Sequence, residues 1–189
     1  SCKKSVQAGI FLHRGKHGQD FLHLTPKTVP RTITTISGEE MPTEKASAAK
    51  TSVTRKQLID GLNDDLAREY QAIIAYVNYS QVLKGAEYMN IAAELAVHAT
   101  EELAHAILIA NQIDYLGGMP CVTPKPVKTS EKAKDMLRFD LDNENETIRQ
   151  YRRRIKQCDE LCEFATAEHI RDILLQEQDH QIALATALG

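Results

Sequence analysis

The 189-residue sequence contains no tryptophan, and aromatic residues make up only 5% of it, which argues against an aromatic-rich β-sandwich. It also lacks any uninterrupted apolar run near the ~18 residues that a membrane span needs, so no membrane association is expected. Cysteine is sparse. Cys2, Cys121, Cys158 and Cys162 are too few and too irregularly spaced for a disulfide framework. None forms the C-x-x-C pair of a zinc ribbon or a rubredoxin-type iron site, and a reducing cytoplasmic setting is expected. No excess of basic charge runs through the body of the chain. Eight of the 23 Lys/Arg and four of the 26 Asp/Glu fall in residues 1–54, which leaves the remainder at a net charge of −7. An acidic body suits the handling of cations and argues against nucleic acid as a partner.

What is present divides the chain in two. Residues 1–53 are rich in Thr, Ser, Lys, Gly and Pro without apolar periodicity, and are expected to form a flexible tail. The run up to Gly38 is basic with Asp20 as its only acid and loosely resembles an organellar transit peptide. The favoured expectation is instead that Met41 is the true start, because Ser37-Gly38-Glu39-Glu40 can be encoded by a ribosome-binding stretch. From Thr54 onward the periodicity is helical, and residues 54–189 are expected to form one domain.

Four amphipathic helices are predicted. The first, about residues 55–84, carries Ile59, Leu62, Leu66, Glu69, Ile73 and Tyr76 on one face. The second, about 87–116, carries Ile91, Leu95, His98, Glu102, His105, Ile109, Gln112 and Leu116, and Gly117-Gly118 stop it. Prolines 120, 124 and 126 mark a long crossover connection. The third helix, about 131–163, is capped by Thr129 or Ser130 and presents Leu137, Leu141, Glu144, Ile148, Tyr151, Ile155, Cys158 and Cys162. The fourth follows Thr166 as N-cap, with Ile170, Ile173, Glu177, His180 and Leu184 inward. The fold class is all-α, an antiparallel four-helix bundle.

Each apolar stripe contains a glutamate, although an isolated buried carboxylate costs several kcal/mol. In helices two and four that glutamate begins an E-x-x-H, Glu102 to His105 and Glu177 to His180, which puts both side chains on one face. Glu69 to Glu102 and Glu144 to Glu177 are both 33 residues apart, so each half repeats the pattern. Four carboxylates and two imidazoles converging at one depth are neutralised by two divalent cations, and this mixed O/N donor set suits iron or manganese. The predicted metal and catalytic residues are therefore Glu69, Glu102, His105, Glu144, Glu177 and His180.

The segments Glu69-Tyr-Gln-Ala-Ile-Ile-Ala-Tyr76, Glu102-Leu-Ala-His105, Leu116-Gly-Gly-Met-Pro120, Met136-Leu-Arg-Phe-Asp-Leu141 and Glu177-Gln-Asp-His180 resemble bacterioferritin, from about residue 55 onward. The resemblance implies a ferritin-like ferroxidase: two iron ions (manganese or zinc as substitutes in vitro) bridged by Glu102 and Glu177. Glu69 with His105, and Glu144 with His180, would each chelate one of them. The implied reaction is oxidation of Fe(II) by O2 or H2O2 for iron storage or detoxification, in a homo-oligomer. The family's haem-binding Met position holds Leu103, so no haem is expected. Only nine residues follow His180, so no fifth helix is expected, and a mini-ferritin-like shell or a dimer is anticipated over a 24-subunit cage. A rubrerythrin-like peroxide reductase and a non-catalytic, metal-stabilised bundle are the alternatives. His98 is read as a hydrogen-bonded core histidine. Tyr76 is read as a packed tyrosine, with a hydrogen-bond donor to the site or a redox-active phenol as the alternatives. Cys158 and Cys162 are read as core packing, and Arg152, Arg153 and Arg154 as a solvated or subunit-facing patch.

Overall fold

The computed structural model describes residues 53–189, and the expectations for residues 1–52 lie outside them. Four long helices account for most of the described chain: α1 Arg55–Val82, α2 Met89–Tyr115, α3 Ala133–Glu160 and α4 Phe164–Leu188, with a short 3-10 turn at Ala86–Tyr88. No strand occurs among the described residues. Helix α1 starts at a capping box. Thr54 Oγ1 accepts from the Gln57 amide, and Gln57 Oε1 accepts from the Thr54 amide at 2.8 Å. Gly85, at φ 119°, supplies the left-handed residue that breaks the chain between α1 and α2.

The direction of each helix follows from which residues share a core. At one end Leu58, Leu62 and Leu66 of α1 meet Ile109 and Ile113 of α2, Tyr151 and Cys158 of α3, and Ala167, Ile170 and Ile173 of α4. At the other, Ala75, Tyr76 and Tyr79 meet Ile91, Leu95 and Ala99, Met136, Leu137 and Leu141, and Leu184. Helices α1 and α4 therefore run one way and α2 and α3 the other. The α2–α3 connection must then travel the length of the bundle, and it does so along α1. Asn63 Oδ1 accepts from the Cys121 amide (2.7 Å), Ala67 carbonyl from the Lys125 amide (2.9 Å), Pro126 carbonyl from Gln71 Nε2 (2.6 Å), and Lys128 carbonyl from the Tyr79 hydroxyl. The two apolar cores leave the middle of the bundle to polar side chains.

Three local expectations are corrected. Helix α3 begins at Ala133 after Lys132, and Ser130 Oγ instead accepts from the Lys132 amide and donates to Asp135 at 2.9 Å. Helix α4 begins at Phe164, so Thr166 lies inside it, and its hydroxyl donates to Gln112 Oε1 at 2.9 Å. Tertiary hydrogen bonding has captured that hydroxyl in place of capping. Cys162 does not face the core: α3 ends at Glu160 and Cys162 is an exposed turn residue at φ 59°, while Cys158 is fully buried.

Candidate metal centre

The six predicted residues meet between the two cores, at 1–3% exposure. Their donor atoms form two overlapping groups, each within 4.8 Å: Glu69, Glu102, His105 and Glu177, and Glu102, Glu144, Glu177 and His180. Glu102 and Glu177 belong to both. Both imidazoles turn Nδ1 inward. His105 Nδ1 lies 3.3 Å from Glu69, 3.2 Å from Glu102 and 3.0 Å from Glu177, and His180 Nδ1 lies 2.9 Å from Glu102.

Hydrogen bonding within the chain does not satisfy this centre. Glu69 Oε2, Glu102 Oε1, Glu144 Oε2, Glu177 Oε1 and His180 Nδ1 are all buried without a hydrogen bond of good geometry, the imidazole contacts just given being close but misaligned. Buried polar atoms are rarely left so, and five converging orphans in one place are what a bound cation pair would satisfy. Without cations, protons must balance the charge. Burial, with the charge of Glu69, drives the Glu102 carboxyl far above the usual carboxylate range, and burial with Glu177 does the same to Glu144. Glu177 is pushed up to about 8 by burial and by the charges of Glu102 and Glu69. Of the four, Glu69 alone is lowered: burial opposes its charge, but the His105 imidazole and the Glu102 carboxyl beside it, with the Tyr151 hydroxyl, outweigh it. Burial also opposes a charged His105, yet the carboxylates of Glu102, Glu177 and Glu69 gathered around its Nδ1 raise it strongly.

The internal repeat extends beyond the donors. Each of the three candidate donors of the first half has its equivalent 75 positions on: Glu69 and Glu144, Glu102 and Glu177, His105 and His180. Tyr76 and Tyr151 obey the same offset, and each crosses to the other half. The Tyr76 hydroxyl donates to Glu144 and the Tyr151 hydroxyl to Glu69. Tyr76 is thus a hydrogen-bond donor to Glu144, one of the alternatives to the packed tyrosine expected for it. Asp65 and Asp140 form another equivalent pair, one turn before Glu69 and Glu144, with unequal surroundings. Asp65 is fully buried between Arg68 and Arg154, whose Nε reaches it at 2.6 Å. Asp140 Oδ2 has no hydrogen-bond partner, and burial and Glu144 hold its carboxyl well above the ordinary range.

Arg154 departs from the expectation of a solvated triplet. It is 3% exposed and tied to Asp65 and Gln157, whereas Arg152 and Arg153 are exposed. His98 is buried as expected, but the hydrogen bond expected for it is not formed among the described residues. Its Nδ1 has no partner, its Nε2 is 3.7 Å from Glu94, and its ring stacks on His180 with centroids 4.0 Å apart. Burial, with His180 beside it, lowers its pKa to about 4. Asp65 and Asp140 are not singled out by the sequence reading, although their i, i+4 spacing from Glu69 and Glu144 is an available signal. A cavity of about 230 Å³ opens on the α2/α4 side of the centre, lined by Glu94, His98, Glu101, Gln176, Asp179 and His180.

Fold and side-chain set together define a four-helix bundle with two overlapping candidate cation sites among carboxylates. The ferritin-like domain model matches residues 59–189, and the chain belongs to the ferritin-like family. It is 32% identical over 127 residues to a bacterioferritin of Desulfovibrio desulfuricans, covering 67% of this chain and 71% of that protein. It is 27% identical over 133 residues to a bacterioferritin of Brucella melitensis, covering 70% and 83%. Among solved structures it superposes on a ferritin-like, diiron-carboxylate protein of Bacillus anthracis with a TM-score of 0.69 and 32% identity, covering 71% of this chain and 97% of that one. It superposes on a dodecameric thioferritin of Bacteroides fragilis with a TM-score of 0.67 and 28% identity, covering 72% and 86%. Among the described residues no helix is long and apolar enough to cross a membrane.

Proposed function

We propose that the protein is a ferroxidase: it takes two Fe(II) into the centre formed by Glu69, Glu102, His105, Glu144, Glu177 and His180 and passes their electrons to O2 or H2O2. The observation that carries this reading is the pair of four-residue donor groups sharing Glu102 and Glu177, with orphaned atoms in both. Two shared carboxylates can bridge neighbouring cations, while Glu69 with His105 and Glu144 with His180 each hold one. Two Fe(II) give two electrons, which with two protons reduce O2 to H2O2, or H2O2 to two water molecules.

The chain's own residues supply the charge balance and the geometry. Four carboxylates match the charge of two divalent ions, and protons held on Glu102, Glu144 and Glu177 leave as the ions enter. Tyr76 and Tyr151 fix the rotamers of Glu144 and Glu69 by donating to one oxygen and leaving the other for a cation. The α2/α4 cavity, with Glu94, Glu101 and Asp179 in its wall, is the port through which cations reach the centre. A homo-oligomer is the working form, as in the dodecameric Bacteroides fragilis relative. Iron storage or detoxification in the cytoplasm is the role.

Oxygen consumption after anaerobic loading with Fe(II) tests the proposal. The expected result is rapid uptake at a ratio of two Fe(II) per O2, lost in Glu102→Ala and in Glu177→Ala. Uptake at the wild-type rate in both variants would refute the site. Metal that raises the melting temperature without any oxidation would favour a structural role.

A further inference from the structure

The two outward-facing imidazole nitrogens are held differently. His180 Nε2 lies 2.9 Å from Glu101 Oε2, and His105 Nε2 lies 2.5 Å from Gln176 Oε1. Each partner reaches across the bundle: Glu101 on α2 holds the histidine of α4, and Gln176 on α4 holds the histidine of α2. They occupy equivalent places in the repeat, immediately before Glu102 and Glu177 and 75 residues apart. The repeat therefore places a carboxylate behind one histidine and a neutral amide behind the other.

We propose that this exchange of Glu101 for Gln176 makes the two metal positions unequal, with the Glu144/His180 position tighter and filled first. The inference rests on the two-cation reading of the site. With a cation at each Nδ1, Nε2 carries the proton and donates outward, so the acceptor sets how much electron density the ring returns to its cation. A carboxylate acceptor forms a charge-assisted bond, roughly twice as strong as the bond to an amide oxygen. It both raises the basicity of the imidazole and fixes its tautomer and orientation, and removing such a partner costs 10–100-fold in metal affinity. Both partners border the cavity that leads in from outside, so cations arriving by that route pass them. The first ion then waits at the position with the carboxylate-backed His180, and the position with the amide-backed His105 is the exchangeable one.

The charge-conserving swap Glu101→Gln/Gln176→Glu isolates this effect, because it moves the carboxylate without changing the net charge of the port. Anaerobic titration of the full metal-free chain with Co(II), followed by its visible absorption, is expected to show two steps differing by about 10–100-fold in Kd. Crystals loaded with one equivalent of Co(II) should give anomalous density beside Glu144 and His180 in the wild type, and beside Glu69 and His105 in the swapped protein. Gln176→Glu alone should tighten the weaker step about tenfold or more, which gives a second measure should the swap reduce folding. The same first-filled position in both proteins, or an unchanged weak step in Gln176→Glu, would overturn the inference while leaving two-ion binding intact. Binding of fewer than two Co(II) per wild-type chain would instead bring down the two-cation reading itself.

Discussion

At the scale of single residues, the candidate centre includes groups that hold its carboxylates and imidazoles in place. Tyr76 and Tyr151 are fully buried, and their hydroxyls end on Glu144 and Glu69. Burial and the carboxylate charges around them, led by Glu144 for Tyr76 and Glu69 for Tyr151, raise both phenols, so each keeps its proton and remains a donor at any physiological pH. Replacing either by Phe removes one donor while conserving the ring, and Fe(II) oxidation is expected to slow about 10–100-fold with helix content unchanged by circular dichroism. The convergence of the six residues was legible because a Glu on an apolar stripe contradicts its surroundings and the E-x-x-H spacing repeats. Glu101 and Gln176 were not legible. They sit beside the stripe at helical positions that ordinarily face solvent, and only packing of α2 against α4 brings each to a histidine of the other helix.

At the scale of elements, a buried ion cluster ties α1 to α3 one turn from the site. Arg154 of α3 reaches Asp65 of α1 over Gly61, where a Cβ would overlap the guanidinium. Removing the arginine leaves Asp65 buried with Arg68 alone, so Arg154→Met is expected to destabilise the protein by about 3–5 kcal/mol in urea denaturation. Gly61→Ala should act in the same direction by displacing the same side chain, and the Arg154→Met/Asp65→Leu pair should recover most of the loss. The capping box at Thr54 stands apart from that cluster, and Thr54→Ala should cost about 1 kcal/mol in the same measurement. The helices and their inward faces were readable from apolar spacing, but their ends were less so. Thr166 has the chemistry of a cap and is engaged by Gln112 instead, and Arg154 reads as one of three consecutive surface arginines until Asp65 is placed opposite it.

At the scale of the whole molecule, protons balance the buried charge of the candidate centre, and the proposed cations would replace them. Glu177 has an ordinary value of 4.5 and is pushed up to about 8 in the folded protein, so folding favours its protonated form. The stability this contributes is complete below about pH 4.5 and is lost as pH rises through about 8. Glu102 and Glu144, raised for the same reason, add to the trend, and so does His105, raised by its carboxylate partners. The metal-free protein should therefore melt at a lower temperature at pH 8 than at pH 5. Two bound cations should abolish most of that slope and raise the melting temperature most at the alkaline end. A metal-free protein that becomes steadily more stable over this range would show that the carboxylates are not protonated in its interior.

The most direct measurement is anomalous diffraction at the iron edge from crystals loaded with Fe(II) under anaerobic conditions. Two peaks per chain are expected, about 3.5–4 Å apart, lying between Glu102 and Glu177 with one beside Glu69 and His105 and the other beside Glu144 and His180. A single peak, or iron confined to the surface with these six side chains bonded only to one another, would contradict the account.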